Sequence, residues 1–242
     1  VAAIIPVRMG STRFPGKAIA ADTGRALVLH VADAASRASR IDQVIVASDD
    51  EAIATVVTDA GMAHVMTSST HPNGSCRVAQ AASSIQADII VNLQGDEPEL
   101  EPALIDLCVE TLTSDPQAAA ATLAAPLNDP AQALDPNIVK VVLDAGGRAL
   151  YFSRLPIPAS RDDEPIERLR HVGIYAYRRS VLEQYPTLPP SPLEEAEHLE
   201  QLRLLAHRLP IAVGCCDANH AGIDTPEQYE AFVNRWRRCH PD

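Results

Sequence analysis

Three cations stand close together near the start of the chain. Arg8, Arg13 and Lys17 lie in Pro6-Val-Arg-Met-Gly-Ser-Thr-Arg-Phe-Pro-Gly-Lys17. Guanidinium forks and an ammonium suit a polyphosphate, Arg through bidentate hydrogen bonds and Lys as a point charge. Gly10, Ser11 and Gly16 in the same segment can bring backbone N–H groups close to phosphate oxygens. The segment follows the apolar run Ala2–Pro6, which reads as a first strand. In open α/β sheets ligands bind beyond the carboxyl ends of the strands. The spacing fits neither G-x-x-x-x-G-K-[ST] nor G-x-G-x-x-G, which turns the reading away from P-loop kinases and dinucleotide enzymes. Taken alone, such a loop could also be an exposed basic turn.

Two further segments supply carboxylates. In Val91-Asn-Leu-Gln-Gly-Asp-Glu-Pro98 an apolar strand runs into Gly95 and Asp96, placing a carboxylate at the same sheet edge, where a hard cation can be held. Asp96 reads equally well as a plain turn residue after glycine. In Ala221-Gly-Ile-Asp-Thr-Pro226, Asp224 or Thr225 taken alone reads as the cap of a following helix. Paired with Asp96, Asp224 would complete a carboxylate pair around Mg²⁺, the usual arrangement when substrate phosphates supply the remaining ligands.

The elements that must position these residues alternate in type. Ala2–Pro6, Gln43–Ala47, His64–Met66 and Asp88–Leu93 are short apolar runs, as buried strands should be. Helical patterns at about Ala26–Ser39, Asp50–Ala60 and Arg77–Ile85 lie between them. Such alternation predicts an α/β fold with a mainly parallel sheet and helices on both faces, which Ala119–Ala125 continues. Val139–Leu143, Ala149–Ser153 and His171–Tyr177 then read as strands without helices of similar length between them, so a smaller lobe is expected at about 145–190. Ser191, Pro192 and Glu194 form a capping-box signature, opening a helix with Leu193, Ala196, Leu199, Leu202 and Leu205 or Ala206 on its buried face. A strand at Ile211–Cys215 and a helix at Pro226–Arg238 complete the chain, read as one domain over 1–242.

Bulk properties bound the function. The 242 residues, 46% hydrophobic and 21% charged with a mean hydropathy of -0.04, suit an ordinary soluble globular protein. No run of apolar residues is long enough for a membrane span, and the opening strand carries no basic leader, so a cytoplasmic location is expected. A formal charge of -12 excludes a nucleic-acid backbone as the main partner. Five scattered cysteines without C-x-x-C spacing argue against a disulfide framework or a structural zinc site. Lysine occurs only at positions 17 and 140.

Taken together, these segments resemble the CTP-dependent cytidylyltransferases that activate acidic sugars, and above all the 3-deoxy-manno-octulosonate (KDO) cytidylyltransferase family. The resemblance covers nearly the whole chain. It also includes Asn137-Ile-Val-Lys-Val-Val142, Ala149-Leu-Tyr-Phe-Ser-Arg154, His171-Val-Gly-Ile-Tyr175, Ser191-Pro-Leu-Glu194, Leu199-Glu-Gln-Leu-Arg203 and Gly222-Ile-Asp-Thr-Pro226. It implies a Rossmann-like nucleotidyltransferase fold in which the small lobe serves sugar binding and the contact of a homodimer.

By the same resemblance, Arg8, Ser11, Arg13 and Lys17 hold the CTP phosphates, with Arg8, Lys17 and Asp96 as the catalytic set. Asp96 and Asp224 hold Mg²⁺. Gln94 and Arg77 face the nucleotide, and Arg154, His171, Tyr175, Glu200 and Gln201 surround the sugar acid. On their own, Glu200 and Gln201 read as a solvated helix face, and His171 and Tyr175 as ordinary strand residues. The implied reaction is attack of the anomeric hydroxyl of KDO on the α-phosphorus of CTP with loss of pyrophosphate, a step of lipopolysaccharide biosynthesis. Positioning and charge neutralisation carry such chemistry.

Two departures bear on the acceptor. Where the family has Gly-Thr-(Asp or Glu)-Arg, this chain has Gly74-Ser-Cys-Arg77, and the stretch from Ser160 to Arg170 is short. The alternatives are a paralogue acting on 8-amino-KDO, another ulosonic acid or a small phosphonate, and, from a different class, a non-catalytic nucleotide-binding protein. The joint presence of Arg8, Lys17, Asp96 and Asp224 speaks against the latter.

Overall fold

The structure, a computed structural model, describes residues 1–10, 13–161, 166–218 and 222–240. Its elements run β1 (Ala2–Pro6), α1 (Leu27–Arg37), β2 (Gln43–Ser48), α2 (Glu51–Asp59), β3 (Ala63–Met66), α3 (Gly74–Ala82) and β4 (Ile89–Asn92). There follow α4 (Pro102–Ser114), β5 (Ala120–Leu127), α5 (Pro130–Leu134), β6 (Lys140–Leu143), β7 (Ala149–Ser153) and β8 (Arg168–Arg178). The last are α6 (Arg179–Gln184), α7 (Pro192–Glu197), α8 (Gln201–Ala206), β9 (Ile211–Cys215) and α9 (Pro226–Cys239). The chain divides into two compact units, residues 1–87, 92–103 and 220–242 forming one, residues 88–91 and 104–219 the other.

The first unit is built on parallel strands in the order β3-β2-β1. Ala2 lies opposite Gln43 and Pro6 opposite Ala47, so the first strand ends level with the second. Ala2, Ala3, Ile4 and Ile5 are all buried, as in a strand covered on both faces. The connecting helices start at side-chain caps: Asp50 accepts from the N–H groups of Ala52 and Ile53, and Asn73 from that of Cys76. Helix α9 opens with a capping box between Thr225 and Gln228 and a proline at its first position. Its Tyr229, Phe232 and Val233 pack with Leu27 and Ile223 into one apolar cluster, flanked by Phe14, Ala20 and Trp236. That cluster ties the loop after β1 to the segment before α9, and so brings two of the candidate motifs to one place.

In the second unit β8 and β9 flank β5, β8 antiparallel to it and β9 parallel. The β6–β7 hairpin joins β8 through β6. The β6–β7 hairpin falls where two strand patterns follow one another without an intervening helix, since adjacent antiparallel strands need only a short link, whereas β5 meets β8 across the segment that holds α5, β6 and β7. One expectation fails here. The helix read as continuous from Ser191 is broken, with His198 left-handed (φ 51°) between α7 and α8, and Leu193 is 44% exposed. At this break the carbonyls of Glu197 and His198 accept from Arg154 at 2.7 and 3.4 Å, which satisfies them where the helix leaves off. Helix α4 goes beyond the segments read from the sequence; it buries Leu104, Ile105, Cys108, Val109 and Leu112.

Candidate active site

The loop after β1 turns at Gly16, whose φ of 72° suits glycine, and enters a 3₁₀ turn at Lys17–Ile19. The turn points Lys17 at three oxygens. Its Nζ donates to Asp96 Oδ2 at 2.6 Å, to the carbonyl of Ile223 at 2.7 Å and to Asp224 Oδ1 at 3.2 Å. Arg13 Nη2 lies 3.0 Å from the other oxygen of Asp224. Two cations and two carboxylates from three distant segments thus meet in the first unit.

Local backbone chemistry aims each carboxylate. Asp96 follows Gly95, where a Cβ would come within 2.2 Å of Val7 Cγ1, so glycine alone lets the 93–97 loop close down on β1's exit. The Asp96 carbonyl also accepts from Ile223 N–H at 2.8 Å, which locks this loop to the segment carrying Asp224. Thr225, not Asp224, caps α9, leaving the Asp224 carboxylate to Lys17 and Arg13. Both carboxylates therefore do more than a turn or a cap requires.

The other first-unit candidates take separate places. Arg8 is exposed just past β1, and Gln94 is half-buried before Gly95. Arg77 is buried, with Nη1 2.5 Å from Thr67 Oγ1 and Nη2 3.1 Å from Asp49 Oδ2. Its guanidinium thereby ties together the residues that follow β2 and β3, at the carboxyl ends of those strands. Cys76, in the first turn of α3, is buried with its N–H on Asn73 Oδ1. Ser11 lies outside the described residues.

The candidates for the sugar acid lie in the second unit. His171 Nε2 is 2.9 Å from Thr122 Oγ1, and its ring packs against Phe152 and Tyr175 with centroids 5.2 and 5.3 Å apart. Burial lowers its pKa to about 3, so the ring is neutral at pH 7. Tyr175 is buried, and its hydroxyl has no hydrogen-bond partner among the described residues. Burial first, then Tyr177 and the charge of Glu200, raise its pKa. Gln201 is buried and Glu200 half-buried, so neither belongs to a solvated helix face.

Arg154 is heavily engaged. Its Nε donates to the Glu197 carbonyl at 2.7 Å, Nη1 to the Pro136 carbonyl at 2.8 Å and Nη2 to the His198 carbonyl at 3.4 Å. Its own N–H donates to Glu197 Oε2 at 2.9 Å, and Ser153 Oγ to Glu197 Oε1 at 2.7 Å. Burial raises the pKa of Glu197, but the Arg154 N–H, Ser153, Tyr151 and the Arg154 charge outweigh it and hold it low. Lys140 is fully buried, its Nζ on the carbonyls of Asp135, Ile138 and Arg154 at 3.0, 2.6 and 2.5 Å. These partners of Arg154 have little sequence signature: Glu197 reads as one of several helix acids. The scarcity of lysine was the one available hint, since both lysines of the chain grip three oxygens.

The oxygen-only set around Lys17 fits Mg²⁺ by donor chemistry: two carboxylates already converge on one cationic group. Among the described residues no group of three or more His, Cys, Asp or Glu side chains gathers for a metal ion. The remaining ligands would have to come from phosphate and water, as is usual for Mg²⁺.

Parallel strands whose carboxyl ends carry a cationic loop and paired carboxylates define a nucleotidyltransferase kind of α/β protein. Comparison with known proteins narrows this: a cytidylyltransferase family profile matches residues 2–211, and the chain belongs to that family. It is similar to the 3-deoxy-manno-octulosonate cytidylyltransferase of Solibacter usitatus, 44% identical over 230 residues (94% of this chain, 90% of the relative). The protein of the same name from Geobacter metallireducens is 44% identical over 98% of each chain. A solved structure, CMP:2-keto-3-deoxy-manno-octonic acid synthetase complexed with CTP, superposes with a TM-score of 0.94 at 39% identity over 98% of each chain. The α/β nucleotidyltransferase fold expected from the sequence is thus the observed one. No helix among the described residues is long and apolar enough to cross a membrane.

Proposed function

We propose that this protein transfers CMP from CTP to the anomeric hydroxyl of KDO and releases pyrophosphate, supplying an activated sugar for lipopolysaccharide biosynthesis. The observation that carries the reading is likeness along the whole chain to relatives and a solved structure bearing this activity in their names. The convergence of Lys17, Arg13, Asp96 and Asp224 supports it chemically.

In this reading Arg8, Ser11, Arg13 and Lys17 bind the triphosphate, and Lys17 and Arg8 neutralise charge on the departing pyrophosphate. Asp96 and Asp224 would hold Mg²⁺, which when bound polarises the α-phosphate and lowers the pKa of the attacking hydroxyl. Gln94 serves the nucleotide directly, while Arg77 holds the strand ends beneath it through Asp49 and Thr67. His171, neutral at pH 7, is suited to hydrogen-bond a sugar hydroxyl and unsuited to pair with a carboxylate. The orphan hydroxyl of Tyr175 fits the same task, since a buried polar group without a partner is costly until one arrives. Glu200 and Gln201 complete the set. Arg154 keeps two of its five N–H groups for the acid, while two others fix the turn that leads to Glu200 and one holds the Pro136 carbonyl.

The region at about 145–190 would also form a homodimer contact, a role supported by the exposed apolar Leu150 and Leu155 at 60% and 70%. A cytoplasmic setting agrees with five free cysteines. Pyrophosphate release from CTP and Mg²⁺ with a panel of acids tests the function: KDO, 8-amino-KDO, sialic-type acids and simple phosphonates. Release with KDO above the others is expected. Turnover of a different acid in its place would assign the protein another acceptor.

A further inference from the structure

We propose that Lys17 has a second role in the nucleotide-free protein: it is an internal counter-ion that keeps a divalent cation off Asp96 and Asp224 until a polyphosphate draws it away. This rests on the reading that the two carboxylates hold the metal, and adds an order to the events at that site.

Asp96 and Asp224 bring two negative charges, and Lys17 and Arg13 two positive ones, all within direct ion-pair distance. The cluster is compensated. A divalent cation entering it would lie beside an ammonium with no negative charge left over, and like charges at such range repel strongly where solvent is partly excluded.

Access is not the obstacle. The Asp96 and Asp224 side chains are 29% and 43% exposed, so an ion from solvent reaches them, whereas Lys17 is 16% exposed and sits inward of them. The backbone around the cluster is pinned. Ile223 N–H holds the Asp96 carbonyl, and the turn after Gly16 holds the backbone of Lys17. What can move is the Lys17 side chain, a flexible four-carbon stem with a compact, readily rehydrated charge.

A triphosphate supplies what the compensated cluster lacks. Phosphate oxygens give the ammonium an alternative partner, and its departure leaves the two carboxylates against Arg13 alone, a net negative charge toward a cation. The nucleotide and the divalent ion then bind cooperatively, and by linkage each strengthens the other equally. The protein resists loading with metal alone.

Direct Mn²⁺ titration without nucleotide, read from the electron paramagnetic resonance of the free ion, tests this on the full chain. Wild type should bind Mn²⁺ weakly, and Lys17→Met more tightly by roughly five- to 150-fold, the usual range of coupling between sites. Lys17→Gln should repeat the gain and serves if the Met variant does not fold. Lys17→Arg, which keeps a cation, should stay close to wild type, and Lys17→Met with Asp96→Asn should lose the gain. Equal Mn²⁺ affinity in wild type and both uncharged variants would overturn the proposal, as would a gain that survives Asp96→Asn. Failure of the underlying reading shows separately: Asp96→Asn turning over CTP and KDO at the wild-type rate would remove Asp96 from the metal site whatever Lys17 does.

Discussion

Lys17 and Asp96, 79 positions apart in the chain, are joined by a 2.6 Å hydrogen bond from Nζ to Oδ2. The bond exists because a left-handed glycine aims the lysine and a glycine with no room for a Cβ aims the aspartate.

Gly95→Ala should damage the site without touching a charged group. Its Cβ would meet Val7 Cγ1 at 2.2 Å, so the loop must lift and carry Asp96 with it. Overpacking of this sort costs about 1–3 kcal/mol. We expect a lower midpoint in thermal unfolding and a drop in CMP transfer larger than the stability loss alone would cause. Unchanged kinetics would show that the loop is not held by this contact.

Arg77→Met should destabilise the fold more than Arg77→Met combined with Asp49→Asn. The Arg77 and Asp49 side chains are 7% and 18% exposed, and removing one partner strands the other's charge. The expected cost of the single change is about 3 kcal/mol, with a good part recovered in the double. Urea unfolding of the four proteins in the cycle measures it. Equal costs for single and double variants would deny the pairing.

Acid should weaken the fold through His171. Its pKa is lowered to about 3 by burial, against 6.5 for an unfolded histidine. Between these values the unfolded chain binds more protons, so this contribution is fully present above pH 6.5 and declines as pH falls toward 3. At pH 5 the loss is up to about 2 kcal/mol relative to pH 7. His171→Asn should flatten the pH dependence of unfolding over that window. His30 and His64, also lowered by burial first of all, retain the remainder of the slope.

Glu197→Gln should separate the two substrates kinetically. The carboxylate holds Ser153 and the Arg154 N–H, and its carbonyl holds Arg154 Nε. Weakening this grip loosens the turn before Glu200 and Gln201, so KM for KDO should rise several-fold while KM for CTP barely moves. Equal rises in both would mean general loosening instead.

Much of this was legible from residue types. Strands β1, β7 and β9 lie where their apolar patterns end, because buried strands are sharply bounded by the polar or turn residues that follow. Helix α4 was as patterned as any other, with Pro102 at its start, but carries no chemistry to draw notice. The break between α7 and α8 was hidden, because the group that satisfies its carbonyls, Arg154, comes from the end of β7, remote in sequence. The same limit applies to the candidate site. Residue type and order marked Lys17, Asp96 and Asp224, but that Lys17 bridges the carboxylates, and that Arg77 and Arg154 hold the frame, are facts of three-dimensional contact.

The most direct test of the central claim follows the label of [α-³²P]CTP into product with KDO and Mg²⁺, comparing wild type with Asp96→Asn. Wild type should move the label quantitatively into a CMP–sugar with one pyrophosphate released per product. Asp96→Asn, folded and still binding CTP, should be slowed by about 10²-fold or more. A wild-type enzyme that leaves the label in CTP in the presence of KDO, or an Asp96→Asn variant as active as wild type, would contradict it.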